Sequence, residues 1–95
     1  MRHNDVTKGF GLALKQWRTK ACLSQEELGF RAGLHRTYIS GVERGVRNVS
    51  LQTISKLARA LDISLSEFFE PLDQLPKNIA ESPRIVEPRA ADKLA

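Results

Sequence analysis

Residues 24–45 read SQEELGFRAGLHRTYISGVERG. The opening Ser24-Gln25-Glu26-Glu27 is a capping box, in which the Ser24 hydroxyl and the Glu27 carboxylate satisfy amide donors at the start of a helix. That helix is predicted to run to about Ala32, with Leu28 as its apolar anchor and Gly29 leaving room for a close neighbour. Gly33 can adopt the left-handed conformation that ends a helix at little steric cost, so Ala32-Gly33-Leu34 reads as a tight turn. A second helix starts at about His35 and stops before Gly45.

The two sides of this second helix differ. At about 100° per residue from Arg36, Ser40 falls near 40°, Arg44 near 80°, Thr37 near 100° and Gly41 near 140°. No carboxylate lies in that arc. Ile39 and Val42 occupy the opposite side with His35 between them, and Tyr38 sits on the flank. A face of donors and small hydroxyls suits the major groove, where arginine can bind guanine bidentately and threonine can meet a base edge or a thymine methyl. Arg36, Thr37 and Ser40 are the base-contact candidates, near the helix end that a recognition helix inserts. Gly41 costs a helix about 1 kcal/mol relative to alanine, which calls for close approach by DNA or by a neighbouring helix.

Outward from this pair, Phe10, Leu14, Trp17 and Ala21 recur at helical spacing, so residues from about 6 to 21 form an amphipathic helix. Its stripe takes Trp17 into the core rather than into base stacking. Ser50 caps a fourth helix with Leu51, Ile54, Leu57, Ala58 and Leu61 as its buried stripe. Ser64-Leu65-Ser66-Glu67 is another capping box, opening a short fifth helix with Phe68 and Phe69 that Pro71 closes. The expected fold is all-α, five helices over residues 6–70, followed by a proline-containing flexible tail, residues 71–95. All four prolines lie in that tail, where Arg84-Ile85-Val86-Glu87 is a weak strand candidate.

A chain of 95 residues accommodates one domain and implies no cofactor cavity. The single cysteine, Cys22, excludes an internal disulfide; it is expected to be a small buried apolar residue, and with His3 and His35 it makes no zinc spacing. The polar start MRHNDVTKGF has no signal-peptide core, and no apolar run approaches a membrane helix, so a soluble cytoplasmic protein is expected. Net charge is +4. Residues 1–70 carry eleven basic and seven acidic side chains and the tail four of each, so the excess positive charge belongs to the helical part, which fits an anionic partner.

Residues 10–70 resemble the lambda-repressor-like (Cro/C1-type, XRE-like) helix-turn-helix family. The resemblance rests on LSQEELGFRAGLHRTYISGVERG, continued by NVSLQTISKLARALDISLSEFF. Within that family HRTYISGVERGVRN looks like the controller proteins of restriction-modification systems, although the tail departs from their short pattern. The resemblance implies a homodimer on double-stranded DNA, with Arg36, Thr37 and Ser40 at bases. It implies backbone contacts from Gln25, which would also brace the first reading residue of the recognition helix, and from Tyr38, Arg47 and Asn48, with charge from Arg44. It pairs Arg18 with Glu43 in a structural salt bridge, a role that the position of Glu43 off the donor arc supports. Phe68, Phe69 and Leu72 are divided between core and a dimer surface on the fifth helix.

Three functions compete. The first is a homodimeric DNA-binding transcription regulator on a palindromic operator, with its own operon as a candidate target. The second is an antitoxin-like interaction module of the same fold, holding a protein partner through the tail. An enzyme is the weakest, since Cys22 and His35 are the only nucleophile-base pair and have no orienting acid.

Overall fold

The computed structural model of the chain describes residues 3–74, with side chains described for residues 6–72. They form five α-helices: α1 (His3–Lys20), α2 (Gln25–Ala32), α3 (Arg36–Glu43), α4 (Leu51–Ala60) and α5 (Leu65–Phe69). A 3₁₀ turn over Glu70–Gln74 follows, so Pro71 does not end the helical path as expected; it tightens it. Among the described residues there is no strand, and no helix is long and apolar enough to cross a membrane. The segment Arg84-Ile85-Val86-Glu87 and most of the tail lie outside the described residues.

The three serine caps of α2, α4 and α5 are formed. Ser24, Ser50 and Ser64 each accept from the amide three residues on, and Glu27 and Glu67 return bonds to the Ser24 and Ser64 amides at 2.8 Å. The backbone bond, and then the serine side chain, holds each glutamate carboxyl below its ordinary value of 4.5. A depressed carboxyl stabilises the fold above its unfolded pKa and loses that contribution as pH falls through the folded value. Melting temperature is therefore expected to fall below about pH 4.5, and a Glu27→Gln/Glu67→Gln variant to show a smaller drop between about pH 6 and pH 3. An unchanged acid slope in that variant would remove the carboxylates from the account.

Four helices end alike. Cys22, Gly33, Gly45 and Asp62 take φ of 61°, 72°, 78° and 59°. The next residue's amide then bonds back five residues: Leu23 to Arg18, Leu34 to Gly29, Val46 to Gly41 and Ile63 to Ala58. This is the Schellman closure, which satisfies carbonyls that a helix end leaves open. Only two of the four positions are glycine. Cys22 is consequently exposed, not buried as expected, because a left-handed capping residue turns its side chain outward from the helix end.

The core gathers Phe10 and Leu14 of α1, Leu28 of α2, Ile39 and Val42 of α3, Ile54, Leu57 and Ala58 of α4, and Phe68 of α5. Phe10, Phe68 and Phe69 form a ring cluster with centroids 5.1 to 6.0 Å apart. Trp17 packs against this core and carries Lys20 Nζ at 5.2 Å from its ring centre. Two expected stripe members are outside it. Ala21 lies in the turn after α1, and Leu51, the first residue of α4, is 83% exposed. In both cases the apolar spacing continues past the end of the face that actually packs.

Candidate nucleic-acid interface

α3 is fixed from three sides. Ile39 and Val42 are fully buried, which anchors its inner face. Along α1, a Cβ on Gly11 would stand 2.3 Å from the Val42 carbonyl oxygen and 2.7 Å from that of Glu43, so the two backbones cross without a side chain between them. Just beyond, Lys8 packs on Gly45. From α2, Gly29 lets the Leu34 carbonyl come equally close. The turn and both ends of α3 are thereby set by backbone contact, which leaves little freedom in the direction of its outer face.

The remaining constraint is polar. Arg18 Nε donates to Glu43 Oε2 at 2.6 Å and Nη2 to Oε1 at 3.1 Å, a bidentate pair whose side chains are 12% and 4% exposed. Arg18 Nη1 also donates to the Leu23 carbonyl at 2.8 Å. The hydrogen bond to Glu43 raises the Arg18 pKa, against the opposing effect of burial. Gln25 Nε2 adds a bond to Glu43 Oε1 at 3.0 Å. α1, α2 and α3 thus share one carboxylate. Gln25, expected to brace the start of the recognition helix, is tied to its far end instead, because Glu43 is the acceptor within its reach.

Outside, Arg36 and Thr37 are exposed and Ser40 is half-buried at the edge of the packed face. No acidic residue occupies the first turn of α3, so the positive end of the helix and Arg36 act in the same direction. Arg44, Arg47 and Asn48 are exposed beyond its last turn. Arg47 folds back: its guanidinium lies 5.7 Å from the Tyr38 ring centre, and its Cγ sits 2.9 Å from where a Gly41 Cβ would be. Within the folded chain, the side chain that Gly41 admits is therefore that of Arg47 in the following loop and not a neighbouring helix. Asn48 accepts from Thr7 Oγ1 at 3.1 Å, linking the loop to α1.

Two expectations about this surface change. The helical wheel places His35 among the packing residues, but in the structure it is the exposed N-cap of α3 and makes no side-chain cap bond. Phe68, one of three candidates for a dimer surface, is fully enclosed within its own chain, while Phe69 and Leu72 are half-buried. Gly11 was missed from sequence; its signal was a glycine one position beyond Phe10 in an otherwise strong helix.

Comparison with known proteins follows the same outline. A helix-turn-helix family model matches residues 14–68. The chain is 44% identical over 68 residues to the control protein C.BamHI of Bacillus amyloliquefaciens, covering 70% of this chain and 84% of that protein. It is 50% identical over 61 residues to the control protein C.SmaI of Serratia marcescens, covering 64% and 73%. The crystal structure of the restriction-modification controller protein C.AhdI from Aeromonas hydrophila superposes with a TM-score of 0.70 at 52% identity, over 73% of this chain and all of that one. Motif, fold and relatives agree, and the chain belongs to the helix-turn-helix family of DNA-binding transcription regulators.

Proposed function

We propose that the protein is a sequence-specific transcription regulator that binds a palindromic operator as a homodimer, one α3 in each of two successive major grooves. The observation that carries this reading is the outer face of α3. Arg36, Thr37 and Ser40 are presented without a nearby acid, because Glu43, the carboxylate of that helix, is consumed by Arg18 and Gln25. Tyr38, Arg44, Arg47 and Asn48 flank that face as phosphate partners, with Gln25 at the start of α2. Phosphate contacts set register, and the base contacts specify. Phe69 and Leu72 supply apolar surface for the second copy. The similarity to restriction-modification control proteins favours control of its own operon, in the cytoplasm.

Selection of bound duplexes from a random pool, followed by footprinting, tests the proposal. It should return two inverted half-sites about 10 to 10.5 bp apart or a multiple of that. In the same assay Arg36→Ala should cost about 1 to 3 kcal/mol at one base position, whereas Arg47→Ala should weaken all sequences alike and lower the salt slope by about 1. A random pool that yields no enriched motif would overturn the reading.

A further inference from the structure

Arg18 is one basic side chain of α1 that reaches the end of α3; Lys8 is the other. Its Cα stands 3.0 Å and its Cγ 2.7 Å from where a Cβ on Gly45 would be, so the lysine stem rests on bare backbone while the residue stays exposed. Its neighbour Thr7 donates to Asn48. Two adjacent residues of α1 therefore hold the loop after α3 at two points, Gly45 and Asn48, with Arg44 and Arg47 exposed before and after Gly45 in the chain. Among the described side chains the ion pair is Arg18–Glu43, and none of Lys8, Arg44 and Arg47 lies within ion-pair distance of a described carboxylate.

An exposed lysine is ordinarily a hydrated charge on a flexible four-carbon stem. Lys8 differs in how it is held and in where. The inner part of its stem is pinned, since α1 meets α3 backbone to backbone at Gly11 and the following turn again at Gly45, and the ammonium swings only through its outer carbons. The place follows from the length of α3. Its eight residues rise about 12 Å, more than the roughly 8.5 Å depth of the major groove. A helix whose first turn reaches the bases thus brings its last turn to the rim of the groove, where the phosphates lie. Lys20, by contrast, is drawn over the Trp17 ring.

We propose that Lys8 is a phosphate-contact residue, whose ammonium forms one cationic corner with Arg44 and Arg47 and binds the sugar-phosphate rim of the operator. The proposal deepens the DNA-binding role given above and rests on it. α1 then acts on register twice: Arg18 sets the direction of α3 from inside, and Lys8 fixes its height in the groove from outside. Such a contact carries no base information, so it adds affinity to every sequence and raises the salt dependence by one more neutralised phosphate per bound copy.

Binding of the selected duplex by the full chain, measured from about 50 to 200 mM salt, provides the test. Lys8→Met keeps a stem for Gly45 and removes the charge, whereas Lys8→Arg keeps both. Lys8→Met should lower the slope of log K against log salt by about 0.9 and weaken binding about fivefold near 0.15 M salt, each per bound copy. The loss should be equal on the operator and on its single-base variants, and Lys8→Arg should hold the parent slope. Replacing single phosphates of the duplex by uncharged methylphosphonates should weaken the parent at one more position per half-site than it weakens Lys8→Met. An unchanged slope with an unchanged phosphate map would overturn the contact, and so would a loss confined to one base position. A lowered slope that Lys8→Arg fails to restore would overturn it too, by assigning the effect to the seat on Gly45 rather than to the charge. A parent that selects no duplex fails earlier, at the functional reading, and takes the contact with it.

Discussion

Replacing Gly11 with alanine is expected to lower stability by about 3 kcal/mol, even though the change improves intrinsic helix propensity by about 1 kcal/mol. The sign is set by what the new methyl meets. A Cβ at 2.3 Å from one backbone carbonyl oxygen and 2.7 Å from another cannot be relieved by a rotamer change, because both atoms belong to the last turn of α3. α1 and α3 must separate, and that separation disturbs Val42, Leu14 and the Arg18–Glu43 pair together. For a domain of this size the loss corresponds to a drop in melting temperature of roughly 12 to 24 °C. Gly33→Ala is the control: open space surrounds its Cβ position, so its cost comes from the positive φ alone, about 1 kcal/mol. Thermal melts of the two variants decide the matter. A Gly11→Ala protein as stable as the parent would mean that the crossing is not close in solution.

Glu43→Ala is the second large effect, about 3 kcal/mol or more. The deletion leaves the Arg18 guanidinium in a mostly enclosed site with only the Leu23 carbonyl, and frees Gln25 as well. An unpaired charge in such a place costs more than the pair contributes, so replacing both partners by apolar groups should be far milder than removing one. Arg18→Met/Glu43→Leu is accordingly expected to recover at least about 1 kcal/mol relative to additivity of the single changes. Strictly additive losses in urea unfolding would show that the two side chains do not act as a unit. The raised pKa of Arg18 stabilises the fold at every pH below its unfolded value and is lost only in strong alkali, so the size of the Glu43→Ala effect should not change between about pH 6 and pH 9 through this group. DNA binding should weaken even where the variant remains folded, since Glu43 is what ties α3 to both α1 and α2.

Much of this architecture was legible because its signals are local. A capping box is four residues long and a helix stripe repeats every turn, so α2, α4 and α5 could be placed from their serines, and Leu14, Leu28, Ile39, Val42 and Leu57 from their spacing. What failed was information held elsewhere in the chain. Cys22 and Asp62 cap helices as Gly33 and Gly45 do, but a cysteine gives no sign of a left-handed residue and an aspartate only a weak one; the tertiary seat of Leu23 and Ile63 imposes it. Ala21 and Leu51 continue an apolar period past the point where a partner faces it. His35 shares an angular sector with buried residues yet stands at a helix start, where the backbone is already turning away. The donor face of α3 was readable from its wheel alone, whereas the bond from Gln25 to Glu43 spans 18 residues of sequence and emerges only once two helices have docked. The division of Phe68 from Phe69 likewise needed the fold: neighbours in sequence, they point into and across the ring cluster.

Arg47 lies over Tyr38, in the space that Gly41 leaves open. An arginine free in solvent loses about 0.5 to 1.5 kcal/mol of rotamer entropy when a ligand immobilises it. Here that loss falls within folding, since the side chain is already held against an aromatic ring and a bare stretch of helix. In the DNA-binding reading proposed above, a phosphate at this corner meets a guanidinium that has little left to order. On that reading the glycine that weakens α3 by itself is repaid at the moment of association, in a smaller entropic penalty for the contact proposed next to it.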